Sequence, residues 1–84
     1  MPSVDVTKDY FRVRQKDPKR FKTCRTPAWA SRVSGSISKG SKVVMCKKDK
    51  DWVVKSVLIK KGPGKNKKRA RNLATKIRKK IERR

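Results

Sequence analysis

The chain has 84 residues, 28 of them Lys or Arg against 6 Asp or Glu, for a formal charge of +22; 33% of it is hydrophobic and histidine is absent. That length allows one small domain near the lower limit for a core without staples. The charge opposes compaction by self-repulsion and selects an anionic partner, which on so short a chain is the footprint of a nucleic-acid binder.

The two cysteines, Cys24 and Cys46, are too few for a four-ligand zinc site and do not form a Cys-x-x-Cys redox pair. They are expected as free, partly buried thiols in a reducing cytoplasm, with a single Cys24–Cys46 disulfide as the alternative. No apolar run approaches the roughly 20 residues of a membrane span, and the start of the chain lacks the apolar core of a signal peptide. A soluble cytoplasmic protein without cofactor, metal or small-molecule substrate is expected.

Residues 1–8 carry Val4 and Val6 and read as a loose arm or a short edge strand. From Tyr10 to Gln15, Phe11 and Val13 alternate with Tyr10, Arg12 and Arg14, a period of two that predicts a half-exposed strand. Its outward face would hold one aromatic ring and two guanidinium groups. Asp17-Pro18 ends the strand and starts a short helical turn, from which Phe21 folds onto the core.

Thr26-Pro27 reads as a turn or helix start, and residues 28–33 as one or two helical turns. Residues 34–41 have loop composition. Their amides and hydroxyls, beside Arg32 and Lys39, are candidate phosphate contacts. Gly35 and Gly40 have the spacing of a Walker phosphate loop, but Ser41 and Lys42 stand in inverted order, so the motif is not met.

Residues 42–47 and 52–59 are rich in β-branched side chains, and the polar segment 48–51 joins them as an antiparallel hairpin. Both strands are apolar on more than one face, so another element must cover them. Gly62-Pro63-Gly64 stops the second strand and acts as a hinge between the sheet-forming residues 1–61 and a basic helix over 65–84.

In that last segment Ala70, Leu73, Ala74, Ile77 and Ile81 fall at the spacing of one apolar stripe, and at about 100° per residue most of the circumference is left to cations. Asn66 is the N-cap candidate. Lys67, Lys68 and Arg69 stand in the first turn, where each opposes the helix dipole by roughly 0.3–1 kcal/mol. A polyanion laid on the helix would neutralise them. The candidate contacts are Lys65, Lys67, Lys68, Arg69, Arg71, Lys76, Arg78, Lys79, Lys80 and Arg83, with Arg12, Arg14, Arg32 and Lys39 elsewhere.

Trp29 and Tyr10 are the candidate stacking platforms for unpaired bases, whereas Phe11, Phe21 and Trp52 are read as core. The close acids Asp49 and Asp51 sit among lysines in the hairpin turn, which points to local charge pairing rather than to a metal-dependent nuclease. With no base beside a nucleophile, no catalytic site is expected.

Phe11-Arg12-Val13-Arg14, Asp17-Pro18, Phe21 and the run from Val53 to Ile59 before a final helix resemble small basic domains encoded by phages and prophages. The resemblance spans about half the chain and implies an α+β fold without a defined activity. The expected architecture is a small antiparallel sheet of about three strands, packed by a long basic C-terminal helix. The expected function is binding of nucleic acid, DNA ahead of RNA, with low sequence specificity. A ribosome- or structured-RNA-binding protein and a phage-encoded interaction or inhibitor protein that binds an acidic host protein are the alternatives.

Overall fold

The computed structural model describes residues 3–14, 23–48 and 50–82. The Asp17-Pro18 turn, Phe21, Asp49 and Arg83 lie outside the described residues. The elements in chain order are β1 (Ser3–Val6), β2 (Tyr10–Arg14), β3 (Cys24–Arg25), α1 (Ala28–Ile37), β4 (Lys42–Lys48), β5 (Asp51–Lys60) and α2 (Lys67–Glu82).

The strands form one five-stranded sheet in the order β1-β2-β5-β4-β3, with every neighbouring pair antiparallel. The α+β class with a C-terminal helix therefore stands, and the sheet is larger than the expected three strands. Its two extra members are the edges. β1 is the short edge strand that residues 1–8 permitted, and β3 has two residues, too few to carry any periodicity.

Alternation sorts the side chains onto two faces. Phe11 and Val13 pair with Ile59 and Val57, Val57 pairs in turn with Val43, and all five are buried. This is the covered face. α2 lies over β5, β2 and β1, α1 lies over β4, and the two helices touch.

The mixed pattern of β5 has a local cause. The register shifts between Val44, opposite Ser56, and Met45, opposite Val54, so β5 carries one extra residue there. Such a bulge lets Val54 and Val57, three residues apart, point to the same side. Val53 and Leu58 are left half-buried on the other face, together with the buried Ser56 and Cys46.

α1 has ten residues and takes in the first four residues, 34–37, of the segment read as loop. Ala30 and Ser34 are buried on its inner side, with Val33 and Ile37 packed against the core, and that tertiary contact outweighs the poor helix propensity of Gly35 and the serines. Of the serine hydroxyls expected to meet phosphate, those of Ser34, Ser38 and Ser41 are buried, and the exposed Ser36 donates back to the Val33 carbonyl at 2.7 Å. Ser34 Oγ donates to the carbonyls of Ser31 (2.9 Å) and Ser41 (3.3 Å), and Ser41 Oγ donates to that of Ser38 (2.7 Å). Gly40, at φ 81°, closes the turn into β4 with a backbone conformation that costs other residues roughly 1–2 kcal/mol.

The expectation of free thiols is corrected: Cys24 and Cys46 are joined in a disulfide. They are directly opposite each other in the β3–β4 ladder, a register invisible in a sequence where they are 22 residues apart. Lasting disulfides belong to oxidising surroundings, so the cysteines no longer argue for a reducing compartment. Closing a loop of that length stabilises by about 3 kcal/mol in the chain-entropy account. Reduction, or Cys24→Ser with Cys46→Ser, is therefore expected to lower stability by about that amount, as read by urea melts with and without reductant. No described helix is long and apolar enough to cross a membrane.

Candidate nucleic-acid interface

α2 begins as the sequence implies. Asn66 Oδ1 accepts the backbone N–H of Arg69 at 2.9 Å, an N-cap, and Asn66 O accepts that of Ala70. Ala70, Ala74, Ile77 and Ile81 are buried and Leu73 packs at the margin. Two alanines in this stripe let the helix backbone approach the sheet, while the isoleucines fill the space further along.

Everything else on α2 is polar. Lys67, Lys68, Arg69, Arg71, Asn72, Lys76, Lys79 and Lys80 are exposed, and Arg78 is half-buried. Among the described residues the ion pairs are confined to Asp5, so no α2 cation has an acidic partner there. An open hollow of about 390 Å³ is lined by Gly64, Asn66, Lys68, Arg69, Asn72, Leu73 and Lys76. A second, of about 350 Å³, lies against Val4, Lys67, Lys68 and Arg71. The first turn of α2 thus stands between two concave cationic surfaces.

The remaining candidates divide by position. Arg32 is exposed on α1 and Lys39 in the turn after it, on the same side of the sheet as α2. Lys65 is half-buried and donates from Nζ to the buried Ser38 Oγ at 3.2 Å, tying the segment before α2 to the end of α1. Arg12 and Arg14 lie on the opposite face, where both meet Asp5 Oδ2, from Nη2 at 3.0 Å and from Nε at 2.7 Å.

Those contacts hold the Asp5 carboxyl below its ordinary value of 3.8, chiefly through the hydrogen bond from Arg12 and then the nearby charge of Arg14. A carboxyl favoured as the anion in the fold contributes stability above its ordinary pKa and loses it as pH falls towards the lowered value. Melts from neutral to acid pH should therefore show a decline beginning near pH 4, and Asp5→Asn should flatten that part of the profile.

Of the two stacking candidates, Trp29 is half-buried against the core. Tyr10 is half-buried on the open face with Lys42 Nζ 5.8 Å from its ring centroid. Trp52, read as core, packs against it from the edge and carries the Arg25 guanidinium 4.2 Å from its ring. Arg25 and Lys42 come to lie beside aromatic rings through pairing across strands, which no local spacing encodes. Among the described residues no three acidic or cysteine side chains gather as metal ligands. No protein-family model, no curated protein and no solved structure matches the chain, so its function has to be read from this surface.

Proposed function

We propose that the protein binds nucleic acid, double-stranded DNA ahead of RNA, mainly by phosphate neutralisation along α2. The observation that carries this reading is a well-capped, docked helix whose exposed side is predominantly cationic, with no acidic partner for those cations among the described residues. Sixteen helical residues span about 24 Å, most of a duplex turn. A helix fits the major groove of B-form DNA, whereas the deep, narrow major groove of A-form RNA excludes it.

Sequence readout is weak in this reading. Asn66 is consumed by its cap, leaving Arg71 and Asn72 as side chains suited to base edges. The described acids are Asp5, held by two arginines, and the exposed, scattered Asp9, Asp51 and Glu82, so the protein is read as a binder rather than an enzyme.

The test is a salt titration of the intact chain against duplex DNA, single-stranded DNA and structured RNA. Six to eight phosphate contacts give a log–log slope of roughly −5 to −7 on duplex. Preference for the structured RNA would transfer the reading to RNA. Weak binding to all three at physiological salt would end it and leave an acidic protein as the partner.

A further inference from the structure

The cations of this molecule occupy two opposite sides, and α2 uses one of them. We propose that the end of the sheet face opposite the helices that carries Tyr10, Arg12, Lys42, Leu58 and Lys60 is a second binding surface, for single-stranded nucleic acid, so that one molecule bridges two nucleic-acid segments. This rests on the proposed function for α2 and adds a separate site with a different ligand geometry.

The register assembles the site. Arg12 stands opposite Leu58, which stands opposite Lys42; in the adjoining row Tyr10 stands opposite Lys60. Arg14 follows two residues along β2, on the same side. The patch therefore has a half-buried ring and a half-buried leucine at its middle, with four exposed cations around them and Asp5 as the one acid. No described element packs over this end of the face, whereas Ser56 and Cys46, further along the same face, are buried. At strand spacings of about 4.8 Å, Arg12 and Lys42 are about 10 Å apart, a scale on which sheet surfaces seat two or three bases.

Its chemistry separates the occupants. A duplex offers phosphates but keeps its base faces stacked, leaving Tyr10 and Leu58 without a partner. An unpaired base supplies a π-face for Tyr10 and apolar contact for Leu58 while its phosphates meet the cations. Lys42 Nζ, 5.8 Å from the Tyr10 centroid, is at the outer limit of a cation–π contact, so a stacking base displaces it towards phosphate at little cost. A second copy of the chain would set these cations against their own equivalents, which disfavours a dimer through this face.

The experiment holds the full-length protein on immobilised duplex DNA and adds a labelled oligothymidylate. The strand should be retained without releasing the duplex. Tyr10→Ala should weaken strand capture about tenfold and leave duplex binding unchanged. Lys42→Gln with Lys60→Gln, both exposed and outside the Asp5 ion pairs, should reduce the strand's salt slope by about 1.4. This second variant decides the matter if Tyr10→Ala melts early.

Displacement of duplex by strand, one for one, would overturn the proposal, as would strand binding unchanged in the lysine variant. Competition by polyglutamate equal to that of the strand would overturn it too. In all three cases duplex binding by α2 still stands; failure of both duplex and strand to bind removes both readings.

Discussion

Replacing Lys68, Arg69, Lys76 and Lys79 together by glutamine is expected to weaken duplex binding about a thousandfold at physiological salt. Each phosphate contact contributes about 0.9 to the log–log salt slope, and physiological salt lies about 0.8 decade below 1 M, so four contacts amount to about three powers of ten. These four side chains are exposed on one sector of α2, and Lys68, Arg69 and Lys76 line the 390 Å³ hollow. Glutamine keeps their helix propensity, and removing four like charges relieves repulsion in a chain of charge +22. The melting temperature should therefore hold or rise while affinity collapses and the slope shrinks by about 3.6. Unchanged affinity in a folded variant would sink the assignment of α2 as the working surface.

Ile77→Ala is expected to cost about 4 kcal/mol. Ile77 is fully buried between α2 and the sheet, and truncating a large aliphatic side chain in a core loses its transfer free energy and leaves a cavity, for a total of about 2–5 kcal/mol. A chain of this size has roughly 4–13 kcal/mol in all, and its charge places it low in that range. Guanidinium melts should show a variant that is marginal or partly unfolded at room temperature.

Duplex DNA should then rescue the variant, because a ligand that binds only the folded state stabilises it by mass action. The same burial explains why deleting α2 is a poor test of binding: without Ala70, Ala74, Ile77 and Ile81 the β1, β2 and β5 part of the covered face is bare. Substitutions on the outer side separate charge from folding; truncation removes both.

The elements legible in the sequence were those with a strong local period. The stripe Ala70–Ile81, the Asn66 cap, the alternation in Tyr10–Arg14 and the hairpin of β4 and β5 all appear where the spacing places them. α1 exceeds the one or two turns that its local sequence predicts, because Gly35 and the serines favour a loop locally and only packing on β4 makes them helical. The Cys24–Cys46 pairing is not legible locally, because a two-residue strand gives no register.

The candidate cations show the same division. Sequence determined by itself that the protein is a polycation with an amphipathic basic helix, since charge and a 3.6-residue period are properties of the chain taken residue by residue. Tertiary structure alone decided that Arg12 and Arg14 stand on the far side of the sheet from α2 and share Asp5, that Lys65 is tied to Ser38, and that Leu58 meets Arg12 and Lys42. Those are pairings across strands and between layers, set by a bulge, a disulfide and the side of the sheet on which two helices settle. Each is a contact between residues distant in the chain, and its free energy exists only once the fold has brought them together.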